Sequence, residues 1–220
     1  MKIQAVIFDM DGVIFDSERA VYMGWRDIAE KYGFDDLDTI YMKCIGCIEP
    51  VTKSLFLDFY GTDFPYDEYR AEQSKAYHEK YDGGRLPLKR GIKELLVYLK
   101  EKGIPAAVAS STRTAVVEQQ IKDAGLAPYF DVILGGESIE RSKPAPDIFL
   151  KAAELLGSEP HGTFVIEDSY NGIRAAHAGG MISVMVPDMM EPDDEMREKS
   201  DYILDDLGAV LELFSVIAFR

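Results

Sequence analysis

The chain has 220 residues, 47% of them hydrophobic, which is enough for one medium domain or for a core domain carrying a smaller insertion. Its formal net charge of -15, from 39 acidic and 24 basic residues, excludes an electrostatic attraction to DNA, RNA or anionic membranes. Two cysteines are too few for a disulfide framework, and no apolar stretch approaches the roughly 18 residues that span a bilayer. We therefore expect a cytoplasmic protein in a reducing compartment.

The first predicted strand covers residues 5–8 (A-V-I-F) and runs directly into Asp9 and Asp11. A buried strand tolerates two such acids only where they are paired or used. Residues 17–32 follow as a predicted amphipathic helix, with apolar side chains spaced three and four apart. Residues 51–60 and 66–81 are predicted as further helices.

No buried type of strand pattern occurs between residue 16 and about residue 86. The sequence therefore predicts an all-helical cap domain, residues 16–85, inserted after the first strand. The core domain would consist of residues 1–15 and 86–220. A glycine pair at 83–84 provides a hinge at the second junction.

Strands and helices alternate through the rest of the chain. The runs rich in small and β-branched residues predict buried parallel strands at 105–109, 130–134, 163–166, 182–186 and, more weakly, 201–204. The helical patterns between and after them cover 91–103, 114–124, 146–156, 171–178 and 207–217. This alternation predicts an α/β fold with a doubly wound, Rossmann-like parallel sheet. The acidic stretch 188–198 is predicted as an exposed loop and a short helix.

Polar residues follow four of these strands, and ligands of open parallel sheets bind at the carboxyl ends of the strands. Asp9 and Asp11 follow the first strand. Ser110 and Ser111 follow the second, Lys143 lies in the loop after the third, and Glu167 and Asp168 follow the fourth. Taken singly, each has an ordinary structural explanation: a solvated strand end, an N-cap serine, a loop lysine or an acidic helix N-terminus. Their convergence at one sheet edge is what favours a functional site.

Clustered carboxylates without a matching set of histidines indicate a hard divalent cation, and Mg²⁺ fits best. Asp9 and Asp11 point the same way on an extended backbone, so both can address one atom. Carboxylates, Mg²⁺, hydroxyls and a lysine together suit a phosphoryl group. An aspartate can attack the phosphorus to form an aspartyl-phosphate, and a second can move protons.

At these residues the sequence resembles the haloacid dehalogenase superfamily, and most closely its capped sugar-phosphate phosphatases and β-phosphoglucomutases. Four stretches carry the resemblance, in order and across nearly the whole chain: F-D-M-D-G-V-I-F-D-S, V-A-S-S-T, S-K-P-A-P-D-I-F and V-I-E-D-S-Y-N-G-I-R-A-A-H-A-G-G-M.

The resemblance implies a role for each matched residue. Asp9 would be the nucleophile, and Asp11 the general acid and base whose backbone carbonyl also ligates the metal. Ser110 would bind the phosphoryl group, and Lys143 would hold it together with the nucleophile. Asp168 would ligate Mg²⁺, and Glu167 would be a second metal contact through a bridging water.

Differences between this sequence and the motifs of related enzymes restrict the expected reaction. Dehalogenases of the superfamily have a bulky residue without a carboxyl where Asp11 stands, so Asp11 favours phosphoryl transfer. β-Phosphoglucomutases carry a histidine and an arginine in the cap, where this chain has Val21 and Glu49. The cap loop at 46–53 would face the active site, with Glu49 and Lys53 as candidate substrate-facing residues.

The expected function is therefore an Mg²⁺-dependent phosphoric monoester hydrolase that acts on a small phosphorylated metabolite, most simply a sugar phosphate. A phosphomutase of the same fold is the alternative, and a binding protein that kept the fold is a third. The intact catalytic set argues against the third. One such set per chain makes a monomer sufficient.

Overall fold

The computed structural model describes residues 2–45, 47 and 49–217. Within this part of the chain, six parallel strands form one sheet: β1 (Ala5–Phe8), β2 (Ala106–Ala109), β3 (Val132–Leu134), β4 (Thr163–Glu167), β5 (Ile182–Met185) and β6 (Tyr202–Ile203). The strand order is β3-β2-β1-β4-β5-β6. β1 therefore lies between β2 and β4, where the order of the strands reverses, and ligands of doubly wound folds bind at this point.

The described helices divide into a cap set and a core set. Those of the cap are α1 (Ser17–Tyr32), α2 (Leu37–Cys44), α3 (Glu49–Tyr60) and α4 (Tyr66–Tyr81). Those of the core are α5 (Ile92–Glu101), α6 (Thr114–Asp123), α7 (Asp147–Leu156), α8 (Tyr170–Ala178), α9 (Asp194–Lys199) and α10 (Leu207–Ile217). None of the described helices is long and apolar enough to cross a membrane.

Helices cover both faces of the sheet because successive strand side chains point to opposite faces. From β1, Val6 and Phe8 enter a core cluster shared with α5, α6 and α10, whereas Ile7 enters a cluster shared with α7 and α8. Both faces of β1 are fully buried, which explains its uninterrupted apolar run. The predicted doubly wound α/β core is confirmed.

The four cap helices share a separate aromatic core. Trp25 of α1, Phe56 of α3 and Tyr66 of α4 are all buried, with the Trp25 ring 4.8 Å from that of Phe56 and 5.5 Å from that of Tyr66. Two adjacent segments connect the cap to the core: Asp16 donates its backbone N–H to the Pro87 carbonyl at 2.9 Å, beside a bridge between Phe15 and Leu88. This packing supports a cap at residues 16–85, but the domain boundaries and the glycine hinge stay predictions.

Element boundaries agree closely with the sequence for α1, α4 and α10, which begin and end at the predicted residues. Two regions differ. Helix α2 was not predicted as an element, because its eight residues follow an acidic loop and carry only two turns of pattern. The segment after β5 is less exposed than predicted, since the side chains of Asp188 and Met196 are buried.

Candidate active site

The carboxyl ends of β1, β2 and β4 lie side by side and bring the predicted polar residues together. Phe8 is paired with Val108 of β2 and with Ile166 of β4, so the residues that follow each strand are neighbours. The loop after β3 returns Lys143 to the same edge. We call the resulting cluster of predicted site residues the catalytic edge: Asp9, Asp11, Ser110, Ser111, Lys143, Glu167 and Asp168.

Lys143 is the central cation of this edge. Its ammonium donates hydrogen bonds to Asp9 Oδ1 at 2.5 Å, to Glu167 Oε1 at 2.7 Å and to the Ala109 carbonyl at 3.2 Å. The side chains are deeply buried: 6% exposed for Lys143, 10% for Asp9 and 1% for Glu167. Both ion pairs are thus shielded from solvent. Charge-assisted hydrogen bonds are stronger in such a low-dielectric interior than in water.

Burial and crowding of like charges change the acidity of these groups. Burial raises the pKa of Asp9 to about 8. The Lys143 ammonium acts to lower this pKa, whereas the Glu167 and Asp11 carboxylates raise it further. Burial opposes the charged form of Lys143, but the two carboxylates outweigh it and raise the pKa of Lys143 above its ordinary value. Lys143 is therefore a permanent cation beside a carboxylate that needs further positive charge.

Carboxylate oxygens of Asp9, Glu167 and Asp168 all lie within 4.8 Å of one another. Burial, followed by the charges of Glu167 and Asp9, raises the pKa of Asp168 well above its ordinary value. None of the described residues donates a hydrogen bond to the Asp168 carboxylate, and Asp168 packs directly on Gly12, where a Cβ would lie only 2.2 Å from Oδ2. A largely buried carboxylate without donors fits a ligand of a divalent cation.

Glu167 is held differently from Asp168. Its Oε1 accepts from Lys143, and its Oε2 accepts from the Ser169 backbone N–H at 2.8 Å. Both oxygens therefore already accept a hydrogen bond, which restricts Glu167 more than Asp168 as a metal contact.

Asp11 lies two residues beyond Asp9 and has its own support. Its Oδ1 accepts from the Ser17 hydroxyl at 2.7 Å, and its Oδ2 accepts from the Thr112 hydroxyl at 3.0 Å. Ser17 begins α1, so the first cap helix contacts the proposed proton-transfer group directly. Ser17 and Thr112 both lie within the motifs that carry the family resemblance, but nothing in the spacing of those motifs predicts their contact with Asp11.

The two serines after β2 also line the site. Ser110 is buried, and its hydroxyl oxygen accepts the Thr112 backbone N–H at 3.0 Å, which leaves the hydroxyl hydrogen to be donated elsewhere. Ser111 is exposed beside it. Both line the same cavity as Asp9 and Lys143.

A cavity of about 740 Å³ separates the catalytic edge from the cap. This volume suits a small metabolite. Of the two candidate substrate-facing residues, Glu49 lines the cavity and Lys53 does not. Lys53 lies outside the lining residues and pairs with Asp67 at 2.6 Å, so its candidacy as a substrate-facing residue is corrected. Of the predicted cap loop at 46–53, residues 49–53 instead form the start of α3, and Gly46 and Ile48 lie outside the described residues.

The cap residues of the cavity wall that sequence reasoning missed include Glu18, Tyr66 and Arg70. Burial and the charges of Asp11 and Asp188 raise the pKa of Glu18 to about 7. Helical periodicity could have placed each residue on a face of its helix, but only the packing of α1 and α4 together shows which face meets the cavity.

Comparison with known proteins gives matches over nearly the whole chain. A family model described as haloacid dehalogenase-like hydrolase matches residues 6–186. A protein of Caldanaerobacter subterraneus subsp. tengcongensis, provisionally named pyrophosphatase PpaX, is 32% identical over 224 residues, which cover 97% of this chain and 95% of the relative. The phosphorylated carbohydrates phosphatase of Thermotoga maritima is 30% identical over 180 residues, which cover 81% of this chain and 82% of the relative. A crystal structure from Thermotoga maritima, provisionally described as a β-phosphoglucomutase, superposes with a TM-score of 0.80 at 25% identity and covers 99% of this chain and 100% of that one.

Proposed function

The chain belongs to the haloacid dehalogenase-like hydrolase family and is a phosphoric monoester hydrolase, and we propose that it is an Mg²⁺-dependent phosphatase of small sugar phosphates. The observation that carries the proposal is the catalytic edge itself. Asp9 is held by Lys143, and Asp11 is held separately by Ser17 and Thr112. Two carboxylates with different partners can perform two different tasks.

In the proposed reaction, an Asp9 carboxylate oxygen attacks the phosphorus of the substrate, and the bond from phosphorus to the leaving oxygen breaks. Asp11, protonated at this stage, gives its proton to the leaving oxygen. A water molecule then attacks the aspartyl-phosphate while Asp11 takes the proton of that water. The bond between phosphorus and Asp9 breaks, and inorganic phosphate leaves. Ser110, Ser111 and Lys143 would bind the phosphoryl oxygens throughout.

The residues present fit Mg²⁺, which supports the cofactor assignment. Asp9, Asp168 and the backbone carbonyl of Asp11 would hold the ion, with Glu167 as a further contact through water. Three buried acids against one lysine leave negative charge to be neutralised. When bound, Mg²⁺ supplies positive charge that stabilises the phosphoryl oxygens.

The substrate class is supported by the cavity and by one relative. A relative covering most of this chain is named a phosphorylated carbohydrates phosphatase. The cap wall of the cavity presents polar side chains, among them Glu49, the substrate-facing candidate that remains after Lys53 is removed. The cap would exclude bulk water while the covalent intermediate forms. The net charge of -15 argues against nucleic acid as partner, and we propose a cytoplasmic enzyme for which a monomer is sufficient.

A phosphomutase of the β-phosphoglucomutase type is the second candidate, favoured by the structural match that extends over the whole fold. A mutase must also hold a second phosphoryl group at the cap, and Glu49 with its negative charge opposes that.

The test is phosphate release from a panel of hexose, pentose and triose phosphates and nucleotides, measured with Mg²⁺ and with a chelator. We expect release that requires the metal and falls at least about 10³-fold in Asp9→Asn. Turnover unaffected by chelator would contradict the metal assignment. Conversion of a hexose 1-phosphate to the 6-phosphate without net release of phosphate would favour the mutase.

A further inference from the structure

Arg70 on α4 is a cation of the cap that faces the active-site cavity. Its Nε donates to Glu49 Oε2 of α3 at 3.4 Å, and its Nη1 donates to Gln73 Oε1 at 2.7 Å. Among the described residues, none accepts a hydrogen bond from Nη2. The Arg70 side chain is 36% exposed, so the free end of the guanidinium can reach a bound molecule.

Gln73 fixes the position of this guanidinium. It is a buried polar residue that packs on Gly24 of α1, where an added Cβ would lie 2.7 Å from the Gln73 amide nitrogen. Its amide group also donates to the Val21 carbonyl at 3.4 Å. Gln73 is buried between two helices and directs its side-chain oxygen to Arg70. The guanidinium is therefore ordered before a ligand binds, which lowers the entropy lost on binding.

Tyr66 fixes the other half of the pair. Its hydroxyl donates to Glu49 Oε1 at 2.9 Å. Burial and the bond to Glu49 raise the pKa of Tyr66, so the hydroxyl remains a donor and the carboxylate remains the acceptor. Glu49 spends only part of its accepting capacity on Tyr66 and Arg70, since a carboxylate offers about four lone-pair sites.

The charge of this wall is balanced. Arg70 is neutralised by Glu49, and on the opposite wall Arg174 is held by Glu195 at 2.8 and 2.5 Å. Lys143 is occupied by the catalytic carboxylates. Among the described residues that line the cavity, every cationic side chain therefore has an acidic partner. A second phosphoryl dianion would displace one of these pairs and face the released carboxylate.

We propose that Glu49 and Arg70 form a subsite for neighbouring hydroxyl groups of the leaving group, with Glu49 accepting and Arg70 donating hydrogen bonds. The proposal rests on the proposed phosphatase function and specifies its substrate: a monophosphorylated polyol or sugar rather than a bisphosphate or pyrophosphate. A polar pair of this kind discriminates between leaving groups, because a leaving group without hydroxyls forgoes hydrogen bonds to both Glu49 and Arg70.

The test compares kcat/KM for hexose phosphates, p-nitrophenyl phosphate and inorganic pyrophosphate in the unaltered enzyme, Arg70→Lys and Glu49→Gln. Arg70→Lys keeps the charge but loses the planar fork, and Glu49→Gln keeps the shape but loses the charge. For each, we expect the preference for a hexose phosphate over p-nitrophenyl phosphate to fall about tenfold to a hundredfold, mainly through KM. Lys31→Met is the matched control, since Lys31 of α1 makes an exposed ion pair with Glu72 of α4, away from the cavity lining.

Each outcome separates the two proposals. Metal-dependent release from both esters, with the preference unchanged in both variants, would overturn the subsite while the phosphatase function stands. Faster hydrolysis of pyrophosphate than of any hexose phosphate would also overturn it. If the unaltered enzyme releases no phosphate from any ester, the phosphatase function falls and the subsite falls with it.

Discussion

The two walls of the cavity differ in how firmly their charges are held. On the core wall, Lys143 is 6% exposed and its two ion pairs measure 2.5 and 2.7 Å. On the cap wall, Arg70 and Glu49 are 36% and 54% exposed and lie 3.4 Å apart. The charges of the core wall are therefore the more deeply buried and would serve the phosphoryl group that every substrate shares, whereas those of the cap wall are open to solvent and would contact the part that varies. We propose that the chemical step and the selection of substrate are divided between these two walls.

Lys143→Met breaks the core wall most severely. It removes the cation that faces two buried carboxylates, so we expect kcat/KM to fall about 10²- to 10³-fold for all substrates alike. The free energy of unfolding should fall by about 3 kcal/mol at pH 8 without divalent cations, and by less at pH 5, where the carboxylates can be protonated. Phosphate-release kinetics and chemical denaturation measure these effects.

Lys151→Met is the control for this variant, because the exposed Lys151 ammonium bonds only the Ser138 carbonyl among the residues that the structure describes. A Lys143→Met loss confined to sugar phosphates would contradict the division between the walls.

Thr112→Val tests how Asp11 is held on the core wall. The variant keeps the side-chain shape but removes the 3.0 Å hydrogen bond to Asp11 Oδ2. We expect kcat to fall about tenfold, the equivalent of about 1.4 kcal/mol, with little change in KM. Thr39→Val on the exposed surface of α2 should change neither constant. A rise in KM at constant kcat would show that Thr112 acts on binding instead.

Glu18→Gln tests the cap wall through the pH dependence of the protein's stability. The pKa of Glu18 in the folded protein is about 7, against 4.5 for an exposed glutamate, so the folded state binds this proton more tightly. Stability from this group is therefore lost as pH rises from about 4.5 to 7, where the buried carboxylate ionises.

The free energy of unfolding of the glutamine variant should accordingly exceed that of the unaltered protein by roughly 1–3 kcal/mol at pH 8 and nearly equal it at pH 5. Thermal unfolding at both pH values in chelator measures this. Glu30→Gln, on the exposed face of the same helix, should show no such dependence. An equal shift at both pH values would contradict burial of the Glu18 charge.

Lys53→Met gives the smallest expected effect. The Lys53–Asp67 ion pair is exposed and lies outside the cavity lining, so kcat/KM should change less than about twofold for any substrate. A large change in KM for sugar phosphates would restore Lys53 to the substrate-facing set.

The same contrast explains what the sequence could predict. The core-wall residues follow strands, and parallel strands bring their ends to one edge whatever the helices do, so Asp9, Ser110 and Lys143 converge in any correct alignment of the sheet. Arg70 meets Glu49 only because α3 and α4 pack side by side. Local patterns do not encode that pairing, since a charged residue at the same helical spacing is usually a solvated one.

Errors in the predicted elements have similar causes. Helix α2 is short and its hydrophobic pattern too brief to stand out. Asp188 looked like part of an exposed acidic loop, but it is buried and paired with Lys89 at 2.6 Å, a partner 99 positions away along the chain. A partner this distant along the chain can bury a residue that the local composition predicts to be exposed.

The central claim, that Asp9 is the covalent nucleophile, is tested most directly by rapid quenching of the enzyme in acid within one turnover of a ³²P-labelled sugar phosphate. We predict a phosphoryl group on the peptide that contains Asp9, labile to hydroxylamine as an acyl phosphate is, and absent from Asp9→Asn. Full release of labelled phosphate in the first turnover, with no label on the protein at any time point, would contradict the account.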